Sequence, residues 1–347
     1  MSTKRPAAFA IPGDATQKTG GYIYEYELLQ ALRRNGRPVE HIELGAGFPD
    51  PTPAETQAAI DAMAALSEDT PLIIDGLVFG SIDTAGLATV KAPIIAMIHH
   101  PLGLETGLSP ERSAYLLQRE ADNLALAQAV LVPSPHTARI LKDHFGVAED
   151  KITIALPGFR PSDPVKTPLF PPLILSVGLL AERKGHDVLV SALGKIRDLD
   201  WQAQIVGKTH DPSVEAGLRS QIADFNLSDR ITMTGLLNDA EVITRYRQAT
   251  IFALATRYEG YGIVLGEALL HGLPIVTCRT GAVPDTVPEG AGILVPVDDV
   301  EAFANALRRL LSDHDMRQAM SATSSQTGRS LPSWNDTCGV VDQVLGP

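Results

Sequence analysis

The chain alternates short, continuously apolar runs with longer stretches whose apolar residues recur at helical spacing. Ala7 to Ile11 is apolar throughout and stops at Pro12-Gly13, which predicts a strand ending in a turn. Tyr22 to Asn35 follows, with Ile23, Tyr26, Leu29 and Leu32 at three-residue steps and Gly36 as a stop; this predicts a helix with that apolar face. Val39 to Leu44 reads as a second strand and the Ala-rich Thr52 to Leu66 as a helix. Leu72 to Leu77, Ile94 to Ile98 and Ala129 to Val132 are compact apolar runs bounded by turns or polar residues. Unbroken apolar runs suit parallel strands covered on both faces, where alternation is not needed. Strands that alternate with helices argue for βαβ units.

A proline-rich stretch interrupts the pattern, from Pro157 through Pro161, Pro164 and Pro168 to Pro171-Pro172. Proline disfavours helix and central strand alike, so this stretch is a linker candidate. The alternation then restarts. Leu173 to Val177, Gln202 to Val206, Ile231 to Thr234, Ile251 to Ala255 and Ile275 to Thr277 read as strands. Val188 to Ile196 and Asp299 to Ser312 read as helices, the latter with Ala302, Phe303, Ala306, Leu307 and Leu310 on one face. The prediction is two open α/β domains joined near Pro161 to Pro172. Ligands of such sheets bind beyond the carboxyl ends of the strands, and two domains facing each other make a cleft for a substrate.

Composition narrows the class. A length of 347 residues suits about two domains. A hydrophobic share of 44% with 20% charged residues is that of a globular protein and excludes a disordered chain, a collagen or a small disulfide scaffold. The net charge of −12 disfavours binding to nucleic acid or anionic lipid unless cations cluster. Cys278 and Cys338 stand far apart with no CxxC partner and form neither a disulfide framework nor a zinc site. Met1 to Lys18 lacks the apolar core of a signal peptide, and no apolar run nears the ~20 residues that span a bilayer. A cytoplasmic location is the expectation.

The candidate chemistry gathers between Arg257 and Pro274. A strand ends near Ala255, a turn carries Glu259, Gly260 and Gly262, and a helix starts near Ile263 and carries Glu267. Such a turn presents free backbone N–H groups and the positive end of a helix, a site for phosphate. Two carboxylates beside that anion site would repel phosphate, so hydroxyl groups are their fitting partners, and a nucleotide sugar supplies them on its ribose and its hexose. The competing reading is acidic residues that complement a helix dipole. Earlier in the chain, Ser176-Val-Gly-Leu-Leu-Ala-Glu-Arg-Lys-Gly185 sets a strand, a Gly turn and the adjacent cations Arg183 and Lys184. Arginine can make two parallel bonds to a phosphate, and lysine acts as a compact point charge. Asp198-Leu-Asp200 has the Asp-x-Asp spacing that can hold a divalent cation, and its place between a helix and a strand reads as an exposed turn.

Glu259 and Glu267 have E-x7-E spacing within Tyr258-Glu-Gly-Tyr-Gly262 and Glu267-Ala-Leu-Leu-His-Gly-Leu-Pro-Ile-Val276. Thr280-Gly-Ala-Val-Pro-Asp-Thr-Val287 and Gly292-Ile-Leu-Val-Pro296 follow. The block from Ala255 to Pro296 resembles the signature of glycosyltransferase family 4, the glycosyl transferases group 1, which are retaining enzymes of the GT-B fold. The Val177-Gly178 segment with Lys184-Gly185 and Leu189 resembles a second block of that family, with the departure that Leu179 stands where many members carry arginine. The resemblance runs over nearly the whole chain and is strongest from Leu173 to Val297.

The resemblance implies an α/β GT-B architecture of two Rossmann-like domains facing a central cleft. Residues 1–165 would form the acceptor domain, 166–330 the nucleotide-sugar domain, and 331–347 a helix that crosses back to the first domain with Trp334 as its anchor. It implies donor contacts from Lys184, assisted by Arg183, and from Glu259, Tyr261, Gly262, Ile263, Val264 and Glu267. Thr234-Gly-Leu-Leu-Asn238 looks like a turn that flanks the base, with backbone near Leu236. In the first half, Gly20 and Gly21 stand where the family has a Gly-Gly loop. His99 or His100, after another strand, stands where it has a histidine near the sugar; the sequence leaves the choice open. The implied catalytic residues are Glu259 and one of these histidines.

The implied activity is transfer of a sugar, with retention, from a nucleotide-diphosphate sugar to a hydroxyl acceptor. The donor would be a UDP- or GDP-sugar, with no cofactor and no metal, since cations and a helix N-terminus would neutralise the diphosphate. An epimerase-like enzyme acting on nucleotide sugars and a non-catalytic sugar-nucleotide binding protein are the alternatives. Helix Tyr22 to Asn35 carries Glu25 and Glu27 against Arg33 and Arg34, so at most weak membrane association and a soluble acceptor are expected, with no nucleic acid.

Overall fold

The computed structural model describes residues 4–105, 107–160 and 165–347. The expected linker prolines Pro161 and Pro164 lie outside the described residues, as do Met1 to Thr3. The chain forms two compact units, Met1–Gly158 with Pro332–Pro347, and Phe159–Leu331. The division falls before Phe159, a few residues earlier than expected at 165/166. The reason is packing: the Phe159 ring lies on Gly266, where a Cβ would come within 2.2 Å of it, and beside the Tyr261 ring.

The first unit holds six parallel strands: β1 (Ala7–Pro12), β2 (Val39–Leu44), β3 (Leu72–Asp75), β4 (Ile94–Met97), β5 (Ala129–Val132) and β6 (Ile152–Ile154). Their order is β2-β1-β3-β4-β5-β6. The unbroken apolar runs β1, β3 and β4 are buried along their length, as strands sandwiched by helices must be. Two expectations change. The Leu72 to Leu77 run stops at Asp75, whose carboxylate caps the turn Gly76–Phe79 by accepting from Leu77 N at 2.9 Å. The edge strand β6 went unread because it is only half covered.

The helix Gly20–Arg34 forms where expected but turns a different face inward. Tyr24, Glu25, Leu28, Leu29, Ala31 and Leu32 are buried, while Tyr26 is exposed. The buried positions follow i, i+4, i+7 spacing, and a glutamate occupies one of them. The closing helix Trp334–Leu345 belongs to this unit. Ser333 and Asp336 form a capping box at its start. Trp334 meets Tyr24 edge-on at 5.4 Å and lies over Gly158, where a Cβ would come within 2.3 Å of its backbone. Thr337 donates to Leu156 O at 2.8 Å, and the buried Arg37 reaches Asp342 at 2.6 Å and Gly346 O at 2.6 Å.

The second unit repeats the plan with β7 (Leu173–Val177), β8 (Gln202–Val206), β9 (Ile231–Gly235), β10 (Ile251–Leu254), β11 (Ile275–Cys278) and β12 (Gly292–Val295). The order is β12-β11-β10-β7-β8-β9, again parallel. Helices His186–Gly194 and Val300–Ser312 cover one face with Leu189, Leu193, Phe303, Leu307 and Leu310. Helices Asp239–Gln248 and Ile263–Leu270 cover the other with Tyr246, Leu265 and Leu269. Cys278 and Cys338 are buried free thiols. Asp198 lies exposed and paired with Arg308 at 2.5 Å, as an exposed turn predicts.

In each unit the first strand sits inside the sheet, with its successor on one side and a later strand on the other. Strand order reverses at β1/β3 and at β7/β10. Chains leave such neighbouring strands in opposite directions and open a crevice at their carboxyl ends. Residues following β1, β3 and β4, and residues following β7 and β10, are therefore placed to meet ligands.

Candidate functional site

In the second unit the turn after β7 and the turn after β10 interlock. Gly185, at φ +61°, lies against the carbonyl of Ala255, and a Cβ there would come within 1.9 Å of that oxygen. Only glycine fits both the left-handed backbone and the approach. Arg257 N donates to Arg183 O at 2.8 Å, tying the turns together. Gly281 does the same for the Glu259 backbone. It has φ +52°, a Cβ would stand 2.2 Å from Glu259 O, and Ala282 N donates to that oxygen at 2.8 Å.

These turns bring the expected residues together. Lys184 Nζ donates to Glu259 Oε1 at 2.6 Å, Thr256 Oγ1 donates to the same oxygen at 3.0 Å, and Arg183 stands 3.8 Å from Glu259 Oε2. The Glu259 side chain is 6% exposed and that of Lys184 11%. Burial alone would raise the Glu259 carboxyl, but Lys184 and Arg183 outweigh it and hold it below its ordinary range. Gly262, at φ +82°, opens the helix Ile263–Leu270, which has no side-chain cap. Its first amides, near Ile263 and Val264, thus lack intrahelical partners. Tyr261 is buried.

Glu267 lies one turn further along that helix and is half-buried. Tyr246 OH donates to its Oε2 at 2.8 Å, and His271 stacks on the Tyr246 ring at 4.9 Å. Burial raises the Glu267 carboxyl to about 7, against the pull of the Tyr246 hydrogen bond. Tyr246 was missed by sequence reasoning because its helix register, not its neighbours in sequence, brings it to Glu267. The glycine turns after β7, β8 and β9 stack: Gly178 N donates to Val206 O at 2.9 Å and Gly207 N to Gly235 O at 3.0 Å. Leu236 follows, 57% exposed.

In the first unit, Gly20 and Gly21 begin the helix after β1. The His99 ring lies over Gly21, where a Cβ would be 3.4 Å from ring Cδ2, and edge-on to Tyr24 at 5.1 Å. His99 Nε2 is 3.3 Å from Glu25 Oε1. These contacts are made by His99. Glu25 and Asp75 are buried, and Glu25, Asp75 and His99 each place a polar atom within 4.8 Å of the others'. Burial raises Glu25 to about 7 and Asp75 well above the ordinary carboxylate range, the two sharing a hydrogen bond; burial lowers His99. Two carboxyl oxygens and an imidazole nitrogen are also a donor set that divalent cations accept, the only such grouping among the described residues. Sequence reasoning missed Asp75, although an aspartate ending an apolar run is a signal, and took Glu25 for a surface charge.

Comparison with known proteins bears on the family and the fold. The family described as Glycosyl transferases group 1 matches residues 162–327, and the one described as Glycosyltransferase Family 4 matches residues 78–163. Together the two matches span well over half of the chain, which belongs to this family of glycosyltransferases. A "D-inositol 3-phosphate glycosyltransferase" of Thermobifida fusca is 26% identical over 264 residues, covering 70% of this chain and 60% of that protein. A "GDP-mannose-dependent alpha-(1-6)-phosphatidylinositol monomannoside mannosyltransferase" of Mycobacterium tuberculosis is 32% identical over 182 residues, covering 50% of this chain and 47% of that protein. The chain thus matches about 60% of the first relative's length and under half of the second's.

Among solved structures, sucrose-phosphate synthase from Thermosynechococcus elongatus superposes with a TM-score of 0.81 at 20% identity, covering 98% of both chains. HepE from Anabaena in complex with UDP and glucose gives 0.77 at 16% identity, covering 98% of this chain and 99% of that one. At such identities the likeness concerns the fold, which is GT-B.

Proposed function

We propose that the protein is a retaining glycosyltransferase that moves a sugar from a UDP- or GDP-sugar to a hydroxyl acceptor without a metal ion. The observation that carries this reading is the Lys184–Glu259–Arg183 cluster beside the uncapped helix start at Gly262. Departure of a nucleoside diphosphate leaves negative charge on the leaving group. Lys184, Arg183 and the amides near Ile263 and Val264 stabilise that charge from fixed positions. Glu259, kept ionised by its cations, accepts from sugar hydroxyls and holds Lys184 in place until the diphosphate arrives. Glu267, oriented by Tyr246, accepts from ribose hydroxyls, and backbone near Leu236 borders the base. His99, over Gly21, meets the transferred sugar.

The relatives' names support both donor bases: one relative is called GDP-mannose-dependent, and the HepE structure holds UDP and glucose. The acceptor is proposed to be soluble. With Glu25 buried, the helix Gly20–Arg34 shows Glu27 against Arg33 and Arg34, which leaves little net charge for docking on anionic lipid. Among the described residues, no helix is long and apolar enough to cross a membrane.

The test is a thermal-shift screen with UDP, GDP, ADP and their common sugar conjugates, with and without EDTA. Binding to the native state raises the melting temperature by mass action. A shift with one base family that EDTA leaves unchanged is expected. The donor so identified is then incubated with soluble polyols and with lipid acceptors, and the anomeric configuration of the product is read by NMR. An inverted product overturns retention. Isomerised donor without transfer means an epimerase-like enzyme, and binding with neither transfer nor hydrolysis means a non-catalytic binder. Co-sedimentation with anionic vesicles at physiological salt would move the acceptor to the membrane.

A further inference from the structure

Glu25, Asp75 and His99 come from three elements that meet beneath the carboxyl ends of β1, β3 and β4. Glu25 sits on the helix that follows β1, Asp75 ends β3, and His99 follows β4. The carboxylates are 1% and 4% exposed, while the imidazole keeps 23% of its side-chain surface open. Among the described residues no lysine or arginine pairs with either carboxylate; the one ion-pair partner of Glu25 is His99. Two buried carboxylates without a cation cannot both be charged at modest cost. The pair balances with a single proton. Burial raises both carboxyls, and the two share a hydrogen bond; Glu25 Oε1 also lies 3.3 Å from His99 Nε2.

Everything around His99 restrains it. Gly21 forms the floor under its ring and Tyr24 stands against its edge. Thr137 Oγ1 donates to its carbonyl at 3.3 Å, and Leu77 N and Val78 N hold the far side of Asp75. The ring thus has its backbone, face and Nε2 all fixed, while its exposed surface points outward.

We propose that Glu25 and Asp75 are positioning residues for His99: a buried carboxyl pair that accepts the imidazole's Nε2–H and so leaves Nδ1 as the acceptor on the ring. Tautomer selection through the far nitrogen is a general property of buried histidines. The pair itself touches no ligand and acts only through the imidazole. This assignment rests on the glycosyltransferase reading only in its kinetic test; the spectroscopic test stands without it.

The experiment uses the full chain labelled with 15N-histidine, in 1H–15N spectra at pH 8. A downfield Nε2–H resonance protected from solvent is expected, and its loss in His99→Gln assigns it. The resonance disappears in Glu25→Met, an unbranched side chain of similar length, or in Glu25→Ala should the methionine variant not fold. It returns in Glu25→Gln, whose side-chain oxygen still accepts. With a donor and acceptor in hand, Glu25→Met lowers kcat roughly ten- to hundredfold, as loss of a hydrogen bond to a charged group does. KM for the nucleotide sugar stays unchanged, and Glu25→Gln recovers most of the rate. The proposal is overturned by a resonance that survives Glu25→Met, by its absence from the wild type, or by stoichiometric Mn2+ or Zn2+ binding that Glu25→Met abolishes. A protected resonance in a protein with no transferase activity counts against the proposed function and not against this pair.

Discussion

Both units bury a glutamate at the carboxyl end of their sheet, and the two behave in opposite ways. Glu259 is 5% exposed and Glu25 1%, so desolvation acts on both. Glu259 stays ionised because Lys184 and Arg183 lie against it and outweigh its burial; burial raises Glu25 to about 7, since among the described residues no lysine or arginine pairs with it to oppose the shift. Burial therefore does not decide the charge of a buried acid; the compensating partners do. The second unit builds a cationic site steadied by a carboxylate. The first builds a proton-sharing site steadied by its own hydrogen bonds.

The largest test of that contrast is Lys184→Ala. It removes the nearest cation from a buried carboxylate, leaving Arg183 and Thr256. Affinity for the nucleoside diphosphate should fall roughly tenfold or more. Stability should fall by about 1–3 kcal/mol, more than an exposed cluster would show. The double variant Lys184→Ala/Glu259→Gln should regain much of that stability, since no charge is left to bury. Denaturant unfolding of the two variants and the wild type measures this, and an unchanged stability in Lys184→Ala would remove the contrast between the units.

The pH dependence of stability comes next. Glu25 moves from an ordinary 4.5 to about 7 on folding. Its contribution is complete below pH 4.5 and is lost as pH rises towards 7, a change of up to about 3 kcal/mol. Glu259 has the opposite sign: its contribution is present above the ordinary carboxylate range and is lost as pH falls through its depressed folded value. Unfolding at pH 5 and pH 8 should show Glu25→Gln gaining stability relative to wild type at pH 8 and little at pH 5. Equal differences at the two pH values would mean that Glu25 does not titrate as its surroundings dictate.

A smaller effect is expected from Tyr246→Phe. Without the hydroxyl, Glu267 loses the hydrogen bond that opposes its upward shift. Nucleotide affinity should fall by about 0.5–1.5 kcal/mol, more at pH 7 than at pH 9, where Glu267 is ionised in both proteins. Calorimetric titration at the two pH values reads this directly; a loss independent of pH would assign Tyr246 a packing role alone. The smallest expected effect is that of EDTA, which should leave nucleotide binding and turnover within error if cations of the chain do the neutralising. A loss restored by Mn2+ would locate a metal requirement, with the first unit's cluster as the place to search.

The two halves also differed in legibility. Lys184, Glu259 and the Gly262 turn were readable because the residues that make that site lie in two short sequence blocks, each a strand, a glycine turn and a helix start. The glycines are forced by the positive φ angles and close approaches at Gly185 and Gly281, so they leave a mark in the sequence. Glu25, Asp75 and His99 come from three segments spread over 75 residues, and none of the three is unusual in its own segment. The three-residue spacing of Ile23, Tyr26, Leu29 and Leu32 even placed Glu25 on the wrong side. Polar residues on a short amphipathic helix do not report which of two overlapping faces the sheet covers.

By itself, then, the order of residues determined the alternation of strands and helices, the two α/β units, the glycine-bounded turns and the family. These follow from local rules: apolar runs, helix spacing, and backbone conformations that only glycine adopts freely. Only the tertiary structure decided which carboxylates keep their charge. It seated Glu259 between two cations and left Glu25 with Asp75 and His99, because a pKa depends on neighbours in space, and those neighbours are set by how β1, β3 and β4, or β7 and β10, lie side by side.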